Sequence, residues 1–249
     1  RKQMVQTFEA AAEEAKAKGY IKDYVVVNGD GTQNQQIAQM NSLILKGVDA
    51  ICINAASPTA LNGVIKSAHE RKIKIIAFDS IVTSPHAYKM DFDFVKLGAD
   101  SVEYMNQRLG GKGNLVIVRG VSGSAPDQEM YQGHIDTLKK YPGFKVVATI
   151  NGEASTTTTQ NAMANVLPSL PEVDGVLIQG GGDAFGVVQA FLAAGREVPI
   201  VIGDGSSEFI QWWIAEKKKR GYETFGINSA PSIGGGAFWV AVNLLNGKQ

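Results

Sequence analysis

Two hydrophobic periods alternate along this chain. Stretches with an apolar residue at every third or fourth position are typical of amphipathic helices, and the short continuous apolar runs between them are typical of strands buried on both faces of a parallel sheet. Glycines such as Gly19 and Gly47 mark helix ends. The pattern predicts helices at residues 1–18, 37–46, 58–68, 95–109, 128–140, 160–170, 184–194, 208–219 and 233–245, and strands at 24–27, 50–53, 75–78, 115–118, 145–150, 175–179, 199–202 and 223–227.

The order of these elements predicts the fold class. Helix and strand alternate strictly up to Phe78, which indicates crossover connections and a parallel sheet. The alternation breaks over residues 81–93 and then resumes. We therefore predict an α/β protein with two Rossmann-like lobes of parallel sheet, joined near residues 91–93. A single TIM barrel is the alternative, because about eight strands alternating with helices would also suit that fold.

Two of the predicted strands end in a carboxylate. Asp79 follows the apolar run 75–78, and Asp204 follows the run 199–202 by way of Gly203. Ligands of open α/β sheets bind outside the carboxyl ends of the strands. We expect two half-sites that face one another and hold a small polyhydroxylated ligand between Asp79 and Asp204. The alternatives are a salt bridge or a cap for Asp79, and a helix N-cap for Asp204.

Four further residues are candidate ligand contacts. Asn54 ends a predicted strand, and its alternative role is that of a turn residue. Arg1 begins the first helix, where a guanidinium faces either the ligand or solvent. Asp127 and Gln128 begin a helix after the loop 120–126, and an acid that favours a helix start is the alternative explanation for Asp127.

Composition excludes several classes of partner. The 249 residues carry 24 Lys+Arg and 24 Asp+Glu, so the net charge is zero and neither nucleic acid nor an anionic membrane is expected as a partner. The basic cluster 217–220 lies at the end of a predicted helix, where cations complement the dipole. The single cysteine, Cys52, lies in an apolar run and is expected to be an inert buried thiol. We find no membrane span and no signal peptide, and we expect that the chain starts mid-domain, since a strand is expected before its first helix.

The sequence offers little for catalysis. The three histidines, His69, His86 and His134, are scattered, and His69 and His134 are expected to be exposed on helices. The glycine turn 180–182 lacks the spacing and the Lys-Ser/Thr ending of a phosphate-binding loop. No nucleophile motif or cluster of metal ligands is found. We expect a protein that is not an enzyme and that needs no cofactor and no metal.

Four segments, in this order and spacing, carry a resemblance to a known family. They are residues 33–39 leading into 45–51, residues 75–79, residues 120–123 and residues 202–205. The chain resembles the type I periplasmic sugar-binding proteins of the ribose-binding group, which serve ABC transporters, and the resemblance spans essentially its whole length.

The resemblance implies a fold of two α/β lobes that are linked by three crossings and close on ligand like a hinge. One lobe would comprise residues 1–92 with 228–249, and the other residues 93–227. The third crossing would lie beyond Gln249. The first strand of the family fold, with a loop that usually carries aromatic ligand contacts, would precede Arg1.

The same resemblance marks departures at the site. Met130 stands where the family often has a ligand-binding arginine, and Gly180 stands near the place of a ligand-binding asparagine. Gln179 or Asp183 would then take over the role of that asparagine. Ser229, just past the second crossing, is a further candidate, with a polar hinge residue as the alternative. These departures make ribose itself an unexpected ligand.

The function that the resemblance implies is a monomeric, periplasmic receptor that captures a neutral sugar or sugar alcohol and delivers it to an ABC transporter permease. One alternative is the effector-binding core of a LacI-type repressor, which shares the fold and would need a helix-turn-helix before Arg1. A nucleotide-dependent enzyme is the other alternative.

Overall fold

Parallel strands and helices form two separate units in this chain, of which a computed structural model describes residues 2–248. Unit 1 comprises the described residues up to Phe92, the segment Gly123–Ala125 and the described residues from Ser229 onward. Unit 2 comprises Asp93–Ser122 and Pro126–Asn228. The predicted fold class, α/β with two sets of parallel strands, is confirmed.

Helices outnumber strands among the described residues. The helices, in chain order, are α1 Lys2–Ala17, α2 Gln33–Lys46, α3 Asn62–Glu70, α4 Phe94–Leu109, α5 Ala125–Leu138, α6 Thr156–Val166, α7 Asp183–Ala193, α8 Ser207–Arg220 and α9 Ile233–Leu245, with a short 3₁₀ turn at Leu167–Ser169. The strands are β1 Ala50–Ile53, β2 Lys74–Phe78, β3 Tyr88–Met90, β4 Lys112–Arg119, β5 Gly143–Asn151, β6 Gly175–Leu177 and β7 Ile200–Val201.

Strand β2 is the centre of unit 1, where the sheet order is β1-β2-β3 and both pairings are parallel. Successive side chains of a strand point to opposite faces. Ile75 and Ala77 accordingly pack with apolar residues of α2 and α3, whereas Ile76 and Phe78 pack with residues of α1 and α9. Helices on both faces explain why this strand reads as an unbroken apolar run.

The strand predicted at residues 24–27 is absent, which corrects the sequence interpretation. This segment is irregular, and Val25 and Val27 are exposed. An apolar groove of about 1250 Å³ separates it from β1, and its walls include residues 24–27 and 50–54. A strand needs a neighbouring backbone for its hydrogen bonds, and within residues 2–248 no strand pairs with this segment.

Strand β4 is the centre of unit 2, where the order is β5-β4-β6-β7. Its residues 115–118 are fully buried, and β6 beside it is buried throughout. The strand predicted at residues 223–227 is reduced to one parallel bridge between Gly203 and Gly226. Gly203 N–H donates to Phe225 O, Gly203 O accepts from Ile227 N–H, and the Thr224 hydroxyl donates to Val201 O, which together link this segment to the sheet edge.

Helices α4 and α5 approach closely because a glycine lies at each side of the contact. A Cβ atom on Gly98 would overlap the backbone carbonyl of Met130, and a Cβ on Gly133 would overlap the carbonyl of Val95. Neither helix can move away without opening a void in the core, because Met130 is 2% exposed. The two glycines therefore fix the distance between these helices.

His134 lies on α5 at this contact and is fully buried, so the expectation that it is exposed was wrong. Neither ring nitrogen has a hydrogen-bond partner in the described structure. Burial without a partner disfavours the charged imidazolium and lowers the pKa of His134 to about 3. His69 is exposed, as predicted, and its ring stacks on His86 with 4.3 Å between centroids.

Replacing Gly98 by Ala should destabilise the protein, although Ala is the better helix former. The added methyl group must push α4 away from α5, which costs about 1–3 kcal/mol of unfolding free energy and outweighs the helix-propensity gain of about 1 kcal/mol. The matched control is Gly63→Ala in α3, where a Cβ meets no atom within 4 Å. Urea unfolding should show a loss for Gly98→Ala and no loss for Gly63→Ala. Equal effects of the two changes would contradict the proposed helix contact.

Acid should destabilise the protein through His134. In the unfolded chain this histidine binds a proton near pH 6.5, whereas in the fold it stays neutral down to about pH 3. Stability is therefore lost as the pH falls below about 6.5, by about 1.4 kcal/mol per pH unit. His134→Leu should remove this contribution in unfolding curves measured from pH 7 to pH 4.5, and the control His69→Leu should retain it. Parallel curves for wild type and His134→Leu would show that the imidazole is not buried neutral.

Candidate functional site

The carboxyl ends of β1 and β2 bring two of the predicted residues together in unit 1. Asn54 directly follows β1 and Asp79 directly follows β2. The Asn54 amide Nδ2 donates to Asp79 Oδ2 at 3.0 Å. Since parallel strands end at the same edge of a sheet, this contact follows from the register that pairs Ile53 with Ala77. The amide and the carboxylate form one polar pair over an apolar floor.

Asp79 has a left-handed backbone, with a φ of +61°. Its N–H donates to Met90 O at 3.0 Å, which extends the pairing of β2 and β3 by one bond. Apart from glycine, Asp and Asn are the residues that adopt this conformation most readily. Such residues concentrate at functional sites, where the surrounding structure holds them in place. The turn directs the Asp79 side chain to the partly exposed strand end.

Asn54 carries a buried oxygen that the described structure leaves unpaired. Its Oδ1 atom has no hydrogen-bond partner, and neither has the hydroxyl of Ser80, which is also buried. The backbone around Asn54 is fixed by Gln36, whose Nε2 donates to Asn54 O at 3.0 Å and whose Oε1 accepts from Ala56 N–H at 2.8 Å. Unpaired buried polar atoms are rare. A preorganised strand end with an unused acceptor is suited to a ligand that brings its own donors.

Strand β4 of unit 2 ends in Arg119, a residue that the sequence analysis did not single out. Its guanidinium forms a two-pronged ion pair with Asp127, in which Nε lies 2.9 Å from Oδ1 and the terminal nitrogen NH2 lies 2.6 Å from Oδ2. It also lies 4.3 Å from the ring centroid of Tyr131. The Asp127 side chain is 3% exposed and that of Arg119 is 27% exposed. Asp127 therefore orients an arginine side chain that is partly exposed to solvent.

Gln179, after β6, joins the same network. Its Oε1 accepts from Gly120 N–H at 2.7 Å, and its Nε2 donates to Asp127 O at 3.1 Å. Gln128 is exposed in the first turn of α5. Gln179 thus links the ends of β4 and β6 to the start of α5, and both of its polar groups are engaged in doing so.

Asp204, after β7, is buried and accepts four hydrogen bonds. Its Oδ2 accepts from the N–H groups of Gly182 at 2.8 Å and Ala184 at 3.1 Å. Its Oδ1 accepts from Ser206 N–H at 2.9 Å and from the Ser206 hydroxyl. The carboxylate therefore fixes the start of α7 and the turn into α8. These contacts correspond to the capping alternative that was raised for this residue, but for two helix starts instead of one.

Asp183, proposed as a replacement for an asparagine of the family, is fully buried. Its Oδ1 lies 2.7 Å from the Thr159 hydroxyl, and its Oδ2 has no partner among the described residues. Burial and, to a smaller extent, the nearby Asp204 raise its pKa to about 8. With no exposed surface, the Asp183 side chain is part of the interior of unit 2.

The other residues singled out from the sequence lie in different places. Arg1 lies outside the described residues. Ser229 is half-buried at the start of the last segment of unit 1. Met130 is buried at the contact of α4 and α5, so the position contributes packing. Gly180 has a φ of +117°, which favours glycine.

Residues 2–248 contain no group of three or more metal-ligating side chains. Cys52 is half-buried, where full burial was expected, and desolvation raises the pKa of its thiol to about 12, which keeps the thiol protonated at neutral pH. Among the helices that the structure describes, none is both long and apolar enough to span a bilayer.

Asp204→Ala should destabilise the ligand-free protein by at least about 2 kcal/mol. The change leaves the N–H groups of Gly182 and Ala184 without their acceptor, and hydrogen bonds to a charged group contribute about 1.5–3 kcal/mol each. Asp30→Ala is the control, because Asp30 accepts from Thr32 N–H in an exposed turn and its loss should cost less than about 1 kcal/mol. Urea unfolding measures both. A loss for Asp204→Ala no larger than that of the control would rule out the capping role.

Comparison with known proteins finds similarity to proteins named for binding a sugar alcohol and a sugar. The chain is 36% identical over 173 residues to the xylitol-binding protein of Mycolicibacterium smegmatis, which covers 68% of this chain and 50% of that protein. It is 25% identical over 202 residues to the ribose import binding protein RbsB of Salmonella typhimurium, with 80% of this chain and 67% of that protein covered. The chain therefore spans half the length of the xylitol-binding protein.

The solved structure of an ABC transporter solute binding protein from Thermobispora bispora matches the whole chain. The TM-score is 0.92 and the identity is 38%, and 77% of that chain is covered. The family model described as periplasmic binding protein domain matches residues 1–249. The family is named for binding, which agrees with the prediction that the chain is not an enzyme. The resemblance drawn from the sequence is confirmed: this chain belongs to the periplasmic binding protein family.

Proposed function

We propose that this protein is the extracytoplasmic receptor of an import system and binds a neutral sugar or sugar alcohol. The observation that carries the proposal is the pair of Asn54 and Asp79 at the strand ends of unit 1. One Asp79 oxygen is held by the Asn54 amide, and Asn54 keeps a buried oxygen without a partner.

The chemistry of the pair fits a polyhydroxylated ligand. A hydroxyl group donates one hydrogen bond and accepts others, so a carboxylate oxygen and an amide oxygen can each take a hydroxyl proton. Bonds to the charged carboxylate are about twice as strong as neutral ones. In unit 2 the guanidinium of Arg119, oriented by Asp127, supplies donors for hydroxyl oxygens. We also propose Gln128 of unit 2 and Ser229 of unit 1 as ligand contacts.

Asp204 and Gln179 position the backbone of this site, and their polar groups are already engaged within the protein. The oxygens of Asp204 accept from Gly182, Ala184 and Ser206, and both polar groups of Gln179 are engaged with backbone. We therefore propose that Asp204 and Gln179 act on ligand binding by positioning the strand ends of unit 2, and that direct contact with the ligand contributes less.

The relatives narrow the class of ligand. The named proteins bind xylitol and ribose, a sugar alcohol and a pentose. Met130 and Gly180 depart from the ribose pattern, and Arg119 offers a guanidinium from a strand end instead of from α5. A net charge of zero also favours a neutral ligand over a phosphorylated one. We therefore propose an acyclic polyol or a pentose other than ribose.

The membership of the family supports three further expectations. The protein would act in the periplasm, as a monomer, and would deliver its ligand to an ABC transporter permease. Ligand would favour one arrangement of the protein over another to the extent that it binds that arrangement more tightly. The repressor-core alternative is less favoured, because the named relatives are binding proteins of sugar and polyol uptake. The alternative of a nucleotide-dependent enzyme is also less favoured, because the sequence contains no phosphate-binding loop motif.

Thermal unfolding with a panel of compounds tests the ligand class. Xylitol, D-arabinose, D-ribose, myo-inositol, ribose 5-phosphate and ATP are compared at equal concentration. A ligand present at about 100 times its dissociation constant stabilises the fold by about 2.7 kcal/mol and raises the melting temperature. We expect xylitol or D-arabinose to give the largest rise. A rise with ATP or with the phosphorylated sugar alone would refute the proposal.

Asp79→Asn tests the site itself. Asparagine tolerates the left-handed backbone, so the fold should keep its stability, while the loss of the charge should weaken binding of the stabilising polyol about 10- to 100-fold. Isothermal titration calorimetry measures the affinity. The control is Asp49→Asn, an exposed carboxylate of the same unit, which should leave the affinity unchanged. Unweakened binding to a stably folded Asp79→Asn variant would remove Asp79 from the site.

A further inference from the structure

Two aspartates of unit 2 lie on either side of one glycine turn. The turn 180–182 leads from β6 to α7, and each of its glycines has a positive φ. Asp204, after the neighbouring strand β7, accepts from the N–H groups of Gly182 and Ala184. Asp183 lies between these two N–H groups in sequence and points into the interior, where it is 0% exposed.

The hydrogen bonds of Asp183 do not suit a carboxylate. An ionised carboxyl group only accepts, and it needs donors at both oxygens. Its Oδ1 lies 2.7 Å from the Thr159 hydroxyl, whereas its Oδ2 is buried and has no partner among the described residues. The Thr159 hydroxyl has a single hydrogen and also lies 3.3 Å from Gly152 O, a carbonyl that can only accept. One hydrogen cannot serve both acceptors well.

A neutral carboxylic acid resolves this arrangement. Asp183 then donates its own proton from Oδ1 to Thr159 Oγ1, and the Thr159 hydroxyl donates its hydrogen to Gly152 O. The chain of two hydrogen bonds gives every hydrogen in it an acceptor. The unpaired Oδ2 becomes a carbonyl oxygen, and an unpaired neutral oxygen is far less costly to bury than an unpaired anionic one.

Burial and the charges around Asp183 favour the same state, and they outweigh the Thr159 hydroxyl and the Ser155 N–H, which favour the charged form. The titratable side chains that act on it within the described structure are Asp204, after β7, and Glu153, after β5, and both are acidic. Helix α6 presents the Thr159 hydroxyl, and α7 presents its own N-terminus, whose dipole favours negative charge. The Asp204 carboxylate already interacts with that dipole, because it accepts hydrogen bonds from the N–H groups of Gly182 and Ala184.

We propose that Asp183 is a neutral carboxylic acid in the folded protein and that loss of its proton loosens the turn 180–182. The two aspartates have different roles. Asp204 accepts hydrogen bonds from the backbone N–H groups, and Asp183 donates a hydrogen bond to Thr159 in the interior. Deprotonation places a second negative charge next to Asp204 and takes away the proton that Asp183 donates to Thr159. The turn between them is the segment that relieves this repulsion.

The sign of the pH dependence follows from proton binding. The unfolded chain releases the proton of Asp183 near pH 4, whereas the folded protein keeps it to about pH 8. Between these values the folded state holds one more proton, so stability falls as the pH rises. The folding equilibrium constant of wild type should fall about tenfold per pH unit relative to a variant without this group.

Asp183→Asn is that variant, because its amide donates to Thr159 as the neutral acid does and cannot ionise. Urea unfolding of the ligand-free wild type, Asp183→Asn and the exposed control Asp136→Asn is measured from pH 5 to pH 8.5. We expect Asp183→Asn to gain stability over wild type as the pH rises, and Asp136→Asn to follow wild type. Curves of wild type and Asp183→Asn that run parallel would overturn the proposal.

A measurement on wild type alone keeps the test valid if Asp183→Asn does not fold. Carbon-13 NMR of the aspartate carboxyl carbons should show one resonance that titrates in the alkaline range. Amide hydrogen exchange at Gly182 and Ala184, corrected for the intrinsic pH dependence, should accelerate over the same range. A full set of aspartate carboxyls that titrate below pH 5 would overturn the proposal. Because no sugar is present, both results are independent of the proposed ligand.

Discussion

A parallel strand that is buried on both faces can display polar side chains only beyond its ends. In this protein β2 and β4 are such strands: helices pack on both faces of β2, and residues 115–118 of β4 are fully buried. Asn54, Asp79, Arg119 and Asp204 all follow from this constraint, since each stands at or just after the carboxyl end of a strand. The proposed binding function depends on it, because each of the two parallel sheets gathers its own strand ends along one edge.

The strand ends differ in what holds them. Asp79 keeps one oxygen engaged with a neighbouring amide, on a backbone turn that is tied to β3. Asp204 is saturated by backbone and hydroxyl donors and so acts as a structural centre for two helix starts. Arg119 is intermediate, since Asp127 fixes its orientation while part of the guanidinium stays exposed. Affinity for a polar ligand depends on both kinds of residue, because a contact group that is already oriented loses less freedom on binding.

Local sequence patterns predicted much of this arrangement. Continuous apolar runs identified β2 and β4, and the polar residues that end two of the runs, Asn54 and Asp79, were singled out as candidate ligand contacts, although their contact with each other was not predicted. Alternation of the two hydrophobic periods predicted the α/β fold. Each of these features depends on residues within a few positions of one another.

Features that depend on distant parts of the chain were not predicted. Residues 24–27 have the composition of a strand but need a partner backbone across the groove. The burial of His134 depends on Gly98, which lets α4 approach from far along the chain. In the sequence, Arg119 is an ordinary basic residue after a strand, and its ion pair with Asp127 is visible only in the structure. In each case the missing information was the identity of a neighbour in space.

A crystal structure of the protein with the polyol that stabilises it most would test the central claim most directly. The account predicts ligand hydroxyls within hydrogen-bonding distance of the Asp79 carboxylate and the unpaired Oδ1 of Asn54, about 2.5–3.0 Å between oxygens for a hydroxyl donor. Ligand bound elsewhere, for example in the apolar groove beside residues 24–27, with Asp79 contacting no ligand atom, would contradict it.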